Sequence, residues 1–384
     1  MRSAPLDALR AAPLVACGVA LSAPLTLAGG IDQSGQPVTL LFQEGDYAEI
    51  RFGYWMPTIR AQGGPGHSTE DAYGDQPDLG LGIRKQFSER FAAALILDQP
   101  YGVIVDYDRD DPAGAFAYAG THAEPRSFGV TGLARYLVTP RWSVHGGLRA
   151  IRFGAEADFR GWGFGPVLDG YSWTGSDAWG LGYVLGGAYE IPEIALRVAV
   201  TYGSRTDITL DSRETHLFDP ATGGFGTLDS ETEITMPQSV NIDFQTGVTP
   251  KTLVYGSVRW ADWEGWSVAP EGYVALTGEP LVEFQHDTWR FQLGVGRQLT
   301  ERIAGSLEVA HETATGDVQT ALTPYDGYTA FTVGASYRTD AGLSIAGGVQ
   351  YGFLGDADVA TPTGTARFED NYGVGVGVRI GYSF

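Results

Sequence analysis

Cysteine and lysine are nearly missing from this chain: of 384 residues, one is cysteine (Cys17) and two are lysines (Lys85 and Lys251). Cys17 falls within the leader described below, so the remainder has neither a disulfide nor thiol chemistry to draw on. Only 25 Lys and Arg stand against 46 Asp and Glu, a formal net charge of −21. That balance excludes the basic surface nucleic-acid phosphates require. No stretch after the leader supplies the roughly 20 apolar residues of a helical membrane span. Helical periodicity of useful length is absent as well.

Sites of chemistry are equally scarce. The six histidines show no metal-ligand spacing, and Asp106-Tyr107-Asp108-Arg109-Asp110-Asp111 lacks the glycine and distal glutamate of a calcium loop. No nucleophile has a base at recognisable spacing. The expectation is a protein with no enzymatic activity, no cofactor and no metal.

The beginning of the chain indicates export. Arg2 and Arg10 form a basic start, Ala11–Leu25 is apolar, and Thr26-Leu27-Ala28 offers a small-residue exit before Gly29. Residues 1–28 therefore read as a cleaved signal peptide. Leu14-Val15-Ala16-Cys17 imitates a lipoprotein processing site, but cleavage there would leave about half the usual apolar length.

What the chain has in quantity is glycine (54) and aromatics (9 Trp, 19 Tyr, 18 Phe), at a mean hydropathy of −0.09. A transmembrane barrel has this signature: its strands alternate between lipid and lumen, which dilutes hydropathy, while Trp and Tyr form interfacial girdles. Tyr372, Val374, Val376, Val378, Ile380, Tyr382 and Phe384 share one face, and Gly373, Gly375, Gly377, Arg379, Gly381 and Ser383 the other. The same two-residue period places strands at about 46–57, 77–87, 91–106, 126–138, 142–155, 177–190, 195–210, 236–248, 252–266, 286–299, 301–314, 328–338, 341–354 and 371–384. Fourteen is an even count, as a closed antiparallel bacterial barrel requires. Long connections at 58–76, 107–125, 156–176, 211–235, 267–285, 315–327 and 355–370 alternate with tight turns, and are expected on the extracellular side. The fold class is all-β: one transmembrane antiparallel β-barrel at 46–384, preceded by a short hatch-like segment at 29–45 able to enter the lumen.

On these faces the lumen receives Glu49, Arg51, Arg84, Asp98, Arg135, Arg197, Asp243, Arg259, Arg290, Glu308, Glu312 and Arg379. Such charges facing lipid near mid-bilayer would cost about 2–4 kcal/mol each. Inside, they form either an ion-pair ladder that narrows the pore or a selectivity filter. After strand five come Phe159, Trp162, Phe164, Tyr171 and Trp173, which either offer an apolar capture surface or pack together over the barrel mouth.

Several segments together resemble the outer-membrane fatty-acid and toluene transporter family of the FadL/TodX type. Trp179-Gly180-Leu181-Gly182-Tyr183, Gly187-Ala188-Tyr189-Glu190 and Val200-Thr201-Tyr202-Gly203-Ser204 are similar to its WGxGxxxGxxYE and TYRS stretches. Met236-Pro237-Gln238-Ser239 and Trp260-Ala261-Asp262-Trp263 look like two further strand motifs of the family. Asp98-Gln99-Pro100-Tyr101-Gly102 resembles its kink in strand three, where proline lacks a ladder donor. The resemblance implies a passive outer-membrane channel for long-chain fatty acids or other hydrophobic molecules. Loops would capture the molecule and a side window at Gln99, Pro100, Tyr101 and Gly102 would release it. It points to Arg160 for a ligand carboxylate, although Asp158-Phe159-Arg160 reverses the family order, and no lysine matches the family's second basic position. A neutral ligand fits these departures. The family's Asn-Pro-Ala hatch motif is missing too. The expected partners are the hydrophobic molecule, outer-membrane lipid and lipopolysaccharide, and the barrel-assembly machinery through Phe384, with the chain monomeric and no nucleic acid bound. A closed structural or adhesin-type barrel and a general water-filled porin are the alternatives.

Overall fold

A computed structural model describes residues 31–63, 66–107, 116–316 and 319–384; the leader lies outside the described residues. Fourteen strands close an antiparallel barrel: β1 (Tyr47–Thr58), β2 (Gln76–Gln86), β3 (Phe91–Asp98), β4 (His122–Leu137), β5 (Trp142–Asp158) and β6 (Ser172–Ile191). β7 runs in two pieces (Leu196–Gly203 and Thr206–Asp219), as does β8 (Gly224–Met236 and Ser239–Thr249). Then follow β9 (Thr252–Ala261), β10 (Thr288–Gln298), β11 (Ile303–Glu312), β12 (Tyr328–Arg338), β13 (Leu343–Leu354) and β14 (Tyr372–Ser383). β14 closes on β1 from Tyr47↔Ser383 to Thr58↔Tyr372, so the barrel's first and last strands leave no open edge between them.

Alternation decides the faces. Phe52, Leu148, Leu181, Leu293, Leu307, Val333 and Val376 are exposed outward, in lipid. Trp142 and Tyr189 meet at 4.7 Å beside the short turns, and Tyr351 stacks with Tyr372 at 5.8 Å toward the opposite rim, an aromatic belt at each interface.

The ninth strand ends at Ala261 and not 266, the sixth begins at Ser172 and not 177, and two departures from the sequence reading are larger. The third strand does not run through 91–106; its ladder ends at Asp98, and only Val105–Asp106 is strand again. The 211–235 connection is not an irregular loop but a tall hairpin, with Thr206–Asp219 paired to Gly224–Met236. Asp219 closes its tip by accepting from the Ala221 N–H and the Thr222 hydroxyl. These pieces rise past the lipid, where an outward strand face can be polar: Asp207, Thr209, Asp211 and Arg213 are exposed while Ile208, Leu210, Ser212 and Glu214 are buried. The hydrophobic alternation that marks a lipid-facing strand is therefore lost there. Within 267–285 lie a helix, Glu271–Thr277, and a small ladder of Ser267–Val268 with Val282–Glu283.

The lumen is filled in layers. Toward the short turns, Val38, Leu40, Leu41 and Phe42 of the N-terminal segment join Ala94, Ile96, Leu133 and Val184 in one buried cluster. Burying a side chain of this size contributes about 1.5–3 kcal/mol. A larger cluster at the loop end gathers Trp55, Tyr101, Phe153, Trp173, Trp263 and Trp266. Polar and charged side chains occupy the level between.

Candidate functional site

Residues 31–46 lie inside the barrel, and the lumen charges hold them there. Arg259 Nε donates to Asp32 Oδ2 at 2.7 Å; its Nη2 stands 2.5 Å from the same oxygen without hydrogen-bond alignment. Ser34 donates to Asp98 (2.7 Å), Asn241 donates to the Gly35 carbonyl (3.0 Å), and Arg149 donates to Gln36. Gly35 has a φ of +61°, and a Cβ there would collide with the Arg290 guanidinium, so only glycine lets the segment cross that side chain. Lower down, Arg84 donates to the carbonyls of Leu41 and Gly45. The guanidiniums of Arg135 and Arg197 each lie 4.7 Å from the Phe42 ring, a cation–π arrangement.

The remaining lumen charges pair along the wall. Arg51 stands 3.7 Å from Glu49, Arg135 pairs with Glu190, Arg197 donates to Gln245, and Glu308 accepts from Gln292. Glu312 is buried, and Asp243 and Arg379 are half-buried. The arrangement is thus as much a socket for the N-terminal segment as a wall-to-wall ladder. The sequence reading missed the socket because Asp32, Ser34 and Gln36 lie over 200 positions from Asn241 and Arg259.

The second feature is the path of the chain after Asp98. β3 pairs with β2 only from Leu81↔Leu97 to Gln86↔Ala92. Beyond Leu97 the Leu79 N–H finds the Gln99 side-chain oxygen instead of a backbone carbonyl, and pairing resumes at Gly74 with Ile104 and Tyr73 with Val105. The intervening residues turn to the N-terminal segment: Gln33 N donates to Pro100 O and Gly102 N to Ile31 O, both at 2.8 Å. Toward β4 the register slips by one residue, from Asp98↔Gly129 to Gly102↔Arg126. Gly129 makes room, because a Cβ there would strike Asp98 and crowd the Pro100 ring. Tyr101, 2% exposed, accepts from Gln36 at 2.7 Å and meets Trp263 edge-on.

The third feature is the loop end. Of the five aromatics after strand five, Phe159 stacks on Phe164 at 4.4 Å and Tyr171 packs between Phe159 and Tyr273; these three close on one another. Trp162 is exposed, and Trp173 is buried lower down. Arg160 donates to the carbonyls of Phe159 (2.7 Å) and Tyr171 (3.3 Å) and to Asp158 (3.4 Å), so its guanidinium ties this loop together. Glu214, fully buried, accepts from the Tyr171 hydroxyl and from the N–H groups of Gly272 and Tyr273, each at 2.7 Å. Burial and that carboxylate push the Tyr171 hydroxyl well above its usual range, keeping it a donor.

Beneath these aromatics is a small apolar chamber of about 50 Å³, below the roughly 300–1,000 Å³ of small-molecule sites, so its side chains must part to admit a solute. Ile31, Val103, Phe153, Trp173, Trp266 and Phe284 are among its walls. Among the described residues no Lys or Arg lines it, and Glu156 is its one charged neighbour. Val103 belongs to the segment that has left β2, and Val105 is where pairing resumes, so the chamber abuts the interrupted ladder. The sequence reading found Trp173 here but not Trp266 or Phe284. The aromatic run Trp260, Trp263, Trp266 ahead of the 267–285 connection was the available signal.

A closed fourteen-stranded barrel with lipid outside and a chain segment docked in its lumen is an outer-membrane channel architecture. The model of the outer membrane protein transport protein family (OMPP1/FadL/TodX) matches residues 79–379, and the chain belongs to that family. Among solved structures it is similar to a Pseudomonas aeruginosa FadL homologue (15% identity, TM-score 0.70, 91% of this chain and 92% of that one). It is similar too to the Pseudomonas putida toluene transporter TodX (12%, 0.63, 93% and 96%) and the Ralstonia pickettii toluene transporter TbuX (14%, 0.59, 90% and 91%). At these identities the likeness is one of fold. No curated protein matches.

Proposed function

We propose that this protein passes neutral hydrophobic small molecules, of the monoaromatic class named for its structural neighbours, from the cell exterior to the membrane by way of the apolar chamber. Of the five loop aromatics, exposed Trp162 and half-buried Phe164 supply the outer contact, buried Phe159 and Tyr171 cover the chamber, and Trp173 forms part of its wall. The break at Gln99, Pro100, Tyr101 and Gly102 is the lateral exit. The observation that carries the choice of a neutral ligand is the chamber wall: it is apolar and holds no cation among the described residues, while Arg160 is engaged by two carbonyls and Asp158. A carboxylate entering such a wall would go unpaired, at a cost of several kcal/mol. A general porin is disfavoured by the segment docked across the lumen.

The test is uptake by a strain lacking its own hydrophobic-compound channels and expressing this chain, offered toluene, oleate and a small sugar separately. Toluene uptake well above the empty-vector strain, with little gain for oleate or sugar, is expected. Oleate preferred over toluene would overturn the neutral assignment, and sugar uptake alone would overturn the channel reading.

A further inference from the structure

On the lipid-side face of the barrel, at its extracellular rim, three segments bring together a donor set that the transport reading does not use. His122 opens β4, Glu124 follows two residues later on the same face, and Glu156 lies directly across on β5. His122 Nε2 stands 3.8 Å from Glu124 and 3.7 Å from Glu156. The ligand atoms of all three lie within 4.8 Å of one another. The other ring nitrogen, Nδ1, faces Asp106 at 3.8 Å, the residue paired with His122 where the chain rejoins β4.

We infer that His122, Glu124 and Glu156 form a site for a zinc-class divalent cation, with Asp106 orienting the imidazole.

Three points argue for it. Like charges directly opposite in a ladder are destabilising, yet Glu124 and Glu156 occupy such a pair. Among the described residues no Lys or Arg answers them: the nearby Arg126 and Arg152 both turn to Asp177, at 3.7 and 2.9 Å. Second, separations of 3.7–3.8 Å exceed a hydrogen bond. They are close to the roughly 3.3 Å between ligand atoms around a tetrahedral ion with bonds of about 2.0–2.1 Å, so a small inward movement completes the shell. Third, a metal-bound histidine usually gives its second N–H to a carboxylate, and Asp106, 3.8 Å from Nδ1, needs only a small side-chain shift to accept it. An imidazole with two carboxylates suits zinc better than calcium, which takes six to eight oxygens. Water would complete the shell. The ion would fasten the Val105–Asp106 segment to β4 and β5.

The experiment is titration of the metal-free full-length barrel in detergent with Zn²⁺ by calorimetry, with Ca²⁺ titrated separately. One saturable Zn²⁺ site is expected, at least tenfold weaker in His122→Ala and in Glu156→Gln and roughly tenfold weaker in Asp106→Asn. Because all of these side chains lie on the outer rim, heat-modifiable gel migration verifies folding of each variant. Zn²⁺ should slow amide exchange at Val105 and Asp106 in the wild type but not in His122→Ala. No saturable Zn²⁺ binding would overturn the proposal. So would Zn²⁺ binding that ignores His122→Ala, or Ca²⁺ binding as tightly as Zn²⁺, which marks an acidic patch only.

Discussion

Replacing Asp32 by alanine should undock the N-terminal segment while leaving the barrel intact. Asp32 and Arg259 are 2% and 5% exposed, and the pair joins the segment to β9. Removing one member of a buried ion pair costs about 3–5 kcal/mol, because the other charge stays behind unpaired. Arg259 would retain the Asn241 side-chain oxygen at 2.8 Å, which places the loss toward the lower end. None of the barrel's interstrand hydrogen bonds is touched, so the cost falls on local docking of residues 31–46. At 1.4 kcal/mol per factor of ten, the ratio of docked to undocked segment should fall by roughly two to three and a half orders of magnitude. Single-channel conductance in planar bilayers reads this directly, as ion flow through the opened lumen, and limited proteolysis of residues 31–46 reads it independently. Asp32→Leu with Arg259→Met should restore much of the seal, since an apolar pair of similar volume is often neutral or stabilising against a buried ion pair. Conductance and protection in Asp32→Ala equal to wild type would refute the view that this pair holds the segment.

Three further outcomes follow from the same geometry. Replacing Pro100 and Gly102 together by valine should favour a continuous β2–β3 ladder and reduce toluene uptake several-fold at unchanged surface abundance; unchanged uptake would reject the lateral exit. Arg160→Ala should leave toluene uptake within about twofold while loosening the 158–171 loop, seen as faster protease nicking; a selective loss of ligand binding would return Arg160 to a carboxylate-binding role. Glu214→Ala strands three buried donors, each worth about 1–3 kcal/mol if left unsatisfied, and should accelerate amide exchange across Glu271–Thr277; wild-type exchange there would show that the carboxylate does not hold that helix.

The barrel was legible because the membrane enforces a two-residue rule on it. Leu293 outward beside Gly294 inward, repeated around the wall, leaves no other assignment within the lipid. Once strands rise above the lipid the rule lapses, which is why 211–235 read as a connection. The site was legible only where backbone chemistry is local: Pro100 marked the interruption in its own sequence. The partners that matter to it, Gln33 and Ile31 on one side and on the other Ser127, whose hydroxyl accepts from the Tyr101 N–H and donates to the Tyr101 carbonyl, are set by closure of the whole cylinder. Lumen charge was legible as a face but not as pairs. Arg259 could as well have met Asp243 as Asp32, and only the threading of residues 31–46 through the lumen decides between them.

That threading bears on the route proposed for the solute. Below the chamber, a molecule moving along the barrel axis must displace Asp32 from Arg259, Ser34 from Asp98 and Gln36 from Arg149, and the first of these alone costs about 3–5 kcal/mol. Sideways, the ladder between β2 and the 99–103 segment is already interrupted. The hydrogen bond found there is the one from Leu79 N to Gln99 Oε1, 2.9 Å long, and such a bond contributes about 0.5–1.5 kcal/mol net. The difference of about 1.5–4.5 kcal/mol favours the lateral path by roughly one to three orders of magnitude for a solute with nothing to offer the displaced charges. It also ties the two features together, for the backbone groups that segment withholds from β2 are satisfied by Ile31 and Gln33. The docked N-terminal segment therefore keeps the lumen closed and, by the same bonds, keeps the side of the barrel from zipping shut.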